Sequence, residues 1–148
     1  MEICVNVCIL NGDSILMVEE NKSYIKGLLN IPGGHLNDGE NIIDGAIRET
    51  LEETGLKVNI TGLVAVFNAM MSKKQAHLID FIFVAEVVED TGSYWKDEIS
   101  SIKYYKLSEL NVPNNAKLRN TRLYEIFDRL ERKEIYPLSV IKDFINNN

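Results

Sequence analysis

Apolar and polar positions along the chain follow two periods, which change where the elements change. Residues 3–10 set Ile3, Val5, Val7 and Ile9 against Cys4, Asn6, Cys8 and Leu10, the period of two that marks a strand. "NGD" at 11–13 is a hairpin turn signal, and "SILMVEE" at 14–20 is the returning strand. Residues 21–40 read mostly as loop, holding Gly27, Pro32, Gly33, Gly34 and Gly39. The period then becomes helical. Ile43, Ala46, Ile47, Thr50, Leu51 and Thr54 form one apolar stripe, predicting a helix from Asn41 to Thr54 with that stripe toward the core. Asp38 or Asn41 is placed to cap its start, and Gly55 its end. Further strands are predicted at 57–70, with Gly62 as a bulge, and at 76–89 and 99–107; a turn falls at 72–75. Helices are predicted at 116–134 and, shorter, at 138–145. Hairpins and crossovers together imply an α/β layered domain with a mixed sheet, one domain over residues 1–148.

Charge and cysteine content narrow the classes. The formal net charge is −6, and basic residues occur only in scattered pairs such as Lys73-Lys74 and Arg132-Lys133. Sequence-independent binding of a nucleic-acid polymer needs a basic patch, so none is expected. A divalent cation between protein and ligand would still let an acidic chain hold a polyanion. No apolar run reaches the ~18–20 residues of a membrane span, and "MEICVNVCIL" lacks the basic start of a secretory signal. The expectation is a cytoplasmic protein, monomer or homodimer. Cys4 and Cys8, four residues apart on one strand face, are too far separated for a disulfide and read as buried thiols in a reducing compartment.

The end of the first helix carries an unusual local cost. With Glu49 as origin and about 100° per residue, Glu53 lies near +40° and Glu52 near −60°, so three carboxylates share a face. Like charges at these spacings cost roughly 0.2–0.5 kcal/mol per pair. The helix C-terminus disfavours each by about 0.3–1 kcal/mol more. Gly45, one turn earlier on the same face, weakens the helix by about 0.5–1 kcal/mol relative to Ala. A solvated acidic face accounts for such a cluster, and so does a hard divalent cation, which would reverse the sign of the electrostatic term. The Pro32-Gly33-Gly34 loop just before the helix favours the second reading, since glycines let backbone approach a ligand closely.

Gly34, five residues, Glu40, seven residues, then "RETLEETGL" from Arg48 resembles the box of the Nudix hydrolases, G-x5-E-x7-R-E-U-x-E-E-x-G-U, with U bulky and aliphatic. Gly34, Glu40, Arg48, Glu49, Glu52, Glu53, Gly55 and Leu56 match; Thr50, at the first U, departs from it. Leu28-Leu29 stands where many members have Trp, and Asn37 where many have Glu. The resemblance implies a Nudix-like α/β/α sandwich and a metal-dependent hydrolase acting on a small nucleotide, a nucleoside diphosphate linked to another moiety, with water as nucleophile.

It further implies Mg2+ or Mn2+ on Glu52 and Glu53, part of the shell from the Gly33 carbonyl, and Glu49 as ligand or general base. Arg48 would hold the glutamates, and Glu40 would be a distal ligand or a brace for the loop. Gly34, Glu40 and His35 are the candidate substrate contacts, although His35, like His77, also reads as incidental. Glu98, in "YWKDEISS", resembles a later metal ligand or base of the family, or is one more loop acid beside Asp97. Tyr24, Phe81, Phe83, Tyr94 and Trp95 are aromatics able to stack a base, although aromatics on strands are mostly core. Markers of ADP-ribose, dinucleoside polyphosphate and coenzyme A substrates are absent at their usual distances from the box. Elimination leaves nucleoside triphosphates as the expectation, with ADP-ribose or nucleotide sugars as the other hydrolase reading. A non-catalytic nucleotide sensor of the same fold is the remaining alternative; retention of every box glutamate favours the enzyme.

Overall fold

The computed structural model describes residues 1–71, 75–93 and 97–145. Strand β1 (Glu2–Asn11) is the middle of the sheet, because its alternation is apolar on both faces. Val5, Val7 and Ile9 point into one core cluster and Cys8 into the other. β1 runs parallel to β6 (Ala76–Asp90), from Glu2 opposite Leu78 to Ile9 opposite Ala85. β6 forms a long antiparallel hairpin with β5 (Leu56–Met71). On the other edge β1 divides its partners. Its first half pairs with β4 (Gly33–His35), and its far end with β2 (Ser14–Glu20) through Leu10 and Ile15. β2 also carries β3 (Leu29–Asn30) and β7 (Ile99–Lys106), both antiparallel. Parallel and antiparallel pairs in one seven-stranded sheet make it mixed.

Helices cover both faces. α1 (Ile42–Thr54) packs through Ala46, Ile43 and Ile47 onto the cluster of Val5, Val7, Leu16 and Phe83. α3 (Arg122–Glu131) packs through Leu123, Ile126, Phe127 and Leu130 onto Cys8, Met17, Val64 and Ile82. The result is an α/β/α sandwich.

Most elements lie where the periodicity puts them, including the irregular register between Ile60 and Gly62 in β5. Residues 72–74 of the predicted turn lie outside the described residues. Two helices are shorter than predicted. Residues 116–121 do not coil, because their backbone is spent on β3: Leu29 N–H donates to Lys117 O at 2.7 Å, and Arg119 N–H to Leu29 O at 2.8 Å. Helix therefore begins only at Arg122. In place of a helix at 138–145 there is one 3-10 turn, Leu138–Val140. The chain there is held by Tyr136 against Leu63 and by the Asp143 carboxylate, which accepts from Ile42 N–H at 3.2 Å. A short helix α2 (Leu107–Leu110) follows β7; only its first residue, Leu107, falls in the predicted strand, and the sequence pattern does not predict the rest.

The buried side of α1 also differs from the predicted stripe. Gly45, Ala46, Glu49, Thr50, Glu53 and Thr54 are buried, while Ile43, Ile47 and Leu51 are only half-buried. The acidic column is therefore covered by protein, and the helix is wedged between the sheet and the glycine loop.

Candidate active site

Glu49 and Glu53 are 5% and 9% exposed, a degree of burial that carboxylates tolerate only with partners. Their cover is β4, one helix column away. The Gly33 N–H donates to Glu53 Oε1 at 2.8 Å. Gly34 lies directly over Glu49: a Cβ built there falls 2.5 Å from the Glu49 Cδ. Gly33 is enclosed on its other side, where a Cβ would overlap the Val5 carbonyl and stand 2.6 Å from Asn6 Cγ. The glycine pair is thus required by close approach of backbone to carboxylate, since neither has a positive φ.

Arg48 ties the rest together. Its Nη1 donates to Glu49 Oε1 at 2.9 Å and to both Glu52 oxygens at 3.3 Å. Nε and Nη2 form a fork on the Glu40 carboxylate at 2.8 and 3.0 Å, and Nη2 also donates to His35 O at 3.0 Å. These partners push the Arg48 pKa up, the Glu40 hydrogen bonds contributing most, and the same bonds hold Glu40 below the ordinary carboxylate value. Glu40 also accepts from Asn37 N–H at 3.1 Å, so it braces the loop against α1. Gly45 keeps that brace possible, because a Cβ there would run into Leu36 Cδ1. Thr50, the departure from the box, is fully buried and donates its hydroxyl to Ala46 O at 2.8 Å, so its polarity is satisfied within the helix.

The side chains gathered here that could ligate a cation are the carboxylates of Glu49, Glu52 and Glu53, an all-oxygen set. That set suits a hard cation such as Mg2+ or Mn2+ better than a soft one. Among the described residues no three His, Cys, Asp or Glu side chains are already grouped as an ion site, and Arg48 spans Glu49 and Glu52. Gly33 and Gly34 also line a cavity of about 530 Å³ on the side away from α1, where Asn6, Asp80, Arg119 and Arg122 join them.

Glu98 is exposed and stands outside this hydrogen-bonded set. Its carbonyl accepts from Asn21 N–H at 2.6 Å, and Asn21 begins the turn whose Tyr24 and Ile25 line the cavity. His35 is exposed and contacts Glu2 at 3.2 Å; His77 pairs with Asn68. Phe83 is fully buried and lies parallel to Phe81 at 6.4 Å between ring centres, so it is core and stacks no base. Tyr24 is on the cavity wall. Tyr94 and Trp95 lie outside the described residues. Asn6, Asp80, Arg119 and Arg122 escaped the sequence reading. Asp80 carried a signal all the same: it shares a strand parity with Leu78 and Ile82, both core, where a carboxylate has no bland reason to be.

The NUDIX domain family matches residues 2–130, and the chain belongs to that family. An ADP-ribose pyrophosphatase of Methanocaldococcus jannaschii is 26% identical over 110 residues, 73% of this chain and 63% of that protein; this chain therefore spans less than two thirds of that relative. Phosphatase NudJ of Escherichia coli K12 is 26% identical over 138 residues, 93% of this chain and 88% of the relative. A NUDIX hydrolase structure from Nitrosomonas europaea superposes with a TM-score of 0.88 at 25% identity, covering 98% of both chains. No helix among the described residues is long and apolar enough to cross a membrane.

Proposed function

We propose that this Nudix-type pyrophosphohydrolase cleaves the diphosphate linkage of a small nucleoside diphosphate derivative, nucleoside triphosphates included, with Mg2+ or Mn2+ held by Glu49, Glu52 and Glu53. The observation that carries the reading is the shared Gly33-Gly34 strand. One side of it presses on buried Glu49 and Glu53, and the other opens on a cavity large enough for a nucleotide fragment. A diphosphate lying across that strand would have acids on one side and its organic group on the other. Bound there, the cation supplies charge neutralisation and a more acidic water.

The chain's own residues do the positioning, which is most of what phosphoryl chemistry asks of a protein. Arg48 fixes the direction of Glu49 and Glu52, and Glu40 fixes Arg48. The Gly33 carbonyl and Gly34 give close backbone approach, His35 lies at the edge, and Glu49 or Glu98 takes the proton from water. The relative named as an ADP-ribose pyrophosphatase supports including ADP-ribose among the substrates tested, beside the triphosphates. Unpaired Cys4 and Cys8 fit a reducing, cytoplasmic setting. Cys8 is buried, whereas Cys4 is half-buried on the cavity wall.

The test is a nucleotide panel with and without Mg2+, scored for phosphate, pyrophosphate and nucleoside monophosphate, alongside Glu53→Gln. Metal-dependent release that the variant abolishes supports the proposal. Binding of nucleotides with no cleavage of any would assign the chain as a sensor instead.

A further inference from the structure

The cavity behind Gly33-Gly34 contains a buried acid that diphosphate cleavage leaves unused. Asp80, in the middle of β6, is 5% exposed, with Leu78 and Ile82 as its neighbours on the same face. Burial raises its pKa, opposed by Asn6 and by the charge of Arg122. Asn6 Nδ2 donates to Asp80 Oδ1 at 2.5 Å. Among the described residues Oδ2 accepts no hydrogen bond and Asp80 forms no ion pair, although the residue borders the cavity. The unpaired oxygen opens on the cavity instead of the core, so half the acceptor capacity of a carboxylate that is otherwise buried is left for a ligand.

Asn6 connects this acid to the phosphate side of the cavity. It pairs in register with Gly33, whose missing Cβ leaves room for the Asn6 side chain. We infer that Asp80, oriented by Asn6, is a specificity-determining acceptor of this cavity, selecting substrates whose organic group is a nitrogen heterocycle with an exocyclic amino group. The inference rests on the pyrophosphohydrolase reading for the location of the diphosphate. A carboxylate only accepts, so the ligand must bring the donors, and an amino-substituted ring edge brings them in its plane. Arg119 and Arg122 on the same cavity supply donors for ring nitrogens and oxo groups. Met70 and Tyr24 supply surface for the ring faces.

The test compares substrates that differ by the amino group. Guanosine and inosine triphosphates are one pair; cytidine and uridine triphosphates, which also exchange a ring-nitrogen acceptor for a donor, are the second. Each is measured as kcat/KM and, using uncleavable α,β-methylene analogues, as Kd by calorimetry with Mg2+. The expected wild-type preference for guanosine over inosine is roughly tenfold or more, because the analogue leaves a buried acceptor unpaired. In Asp80→Asn, whose amide can present a donor, that ratio should fall to within about threefold. Equal Kd for guanosine and inosine analogues in wild type, or a wild-type ratio retained in Asp80→Asn, overturns the inference. If the variant does not fold, the wild-type Kd ratio decides alone. Selective binding of the amino member without cleavage of any nucleotide would sink the hydrolase reading and leave this one standing.

Discussion

Adjacent glycines with different neighbours should fail in different ways. Gly33→Ala places a Cβ against the Val5 carbonyl and 2.6 Å from Asn6 Cγ. Backbone cannot turn aside, so β4 must move off β1. Overpacking of this kind costs about 1–3 kcal/mol. Weakening the Gly33 N–H bond to Glu53, a bond to a charged group, adds about 1.5–3 kcal/mol if it breaks. The terms overlap, and about 3 kcal/mol is a fair total. With about 2.1 cal/mol/K of unfolding entropy per residue over 148 residues, ΔS is roughly 310 cal/mol/K. Gly33→Ala should therefore lower Tm by about 10 °C. Gly34→Ala meets only the end of a side chain, Glu49 Cδ at 2.5 Å and Oε1 at 2.8 Å. That carboxylate can rotate away, so the stability loss is about 1 kcal/mol, or about 3 °C. On the proposed function Glu49 is catalytic, and activity should then suffer far more, since a reacting group misplaced by about 1 Å costs on the order of 10²-fold. Scanning calorimetry and steady-state turnover on both variants check this. A Gly34→Ala protein that melts as low as Gly33→Ala, or that keeps wild-type kcat, would refute the reasoning.

Glu52→Gln and Glu53→Gln should each abolish turnover while melting no lower than wild type without added metal, since each relieves like-charge repulsion and the amide introduced by Glu53→Gln keeps an oxygen for the Gly33 N–H; near-normal activity in both removes the metal assignment. Millimolar Mg2+ or Mn2+ should raise Tm, by an amount equivalent to about 2.7 kcal/mol at a hundredfold excess over Kd. An equal rise in the Glu49/Glu52/Glu53 triple glutamine variant would place the cation elsewhere. Glu98→Gln should lower kcat by roughly 10²–10⁴ with a smaller change in KM if Glu98 moves the proton, and a fall below about threefold hands that role to Glu49. Glu40 is an acid whose folded pKa lies below the ordinary 4.5, chiefly through Arg48. Its contribution to stability is thus present above pH 4.5 and lost as pH falls through the folded value, and Glu40→Gln should shrink that acid-side loss in Tm-versus-pH curves.

Where a pattern is local, the sequence carried it. The hairpin at Gly12, the helix ending at Gly55 with φ of 73° and the bulge near Gly62 each depend on a few neighbouring residues. The acid cluster and its glycine loop were legible for the same reason, since both fall within one short run. What failed depended on distant partners. Residues 116–121 have helical composition, but the edge of β3 offers their backbone hydrogen bonds that a helix turn would have to match. Local propensity is a weak prior against such an offer.

The acidic face of α1 shows how one misreading hid another. A helical wheel treats one side as core and the opposite side as solvent, which makes Glu49 and Glu53 surface groups. In the fold α1 is covered twice, by the sheet along Ala46 and Thr50, and by β4 along Glu49 and Glu53 with Leu36 and Glu40 of the following loop over Gly45. Burial changes what the residues can do. Exposed glutamates would be screened by water, whereas Glu53, fixed by a backbone amide, and Glu49, fixed by one guanidinium N–H, keep their direction in advance of the proposed cation. The same layer explains why Asn6 and Asp80 went unread. Each looks like an ordinary polar interruption of a strand, and only the parallel register of β1 against β6 puts them side by side behind the glycines. A period-two pattern says which face a residue is on. It does not say that two polar residues 74 positions apart share it, and that pairing is what gives the cavity its acceptor.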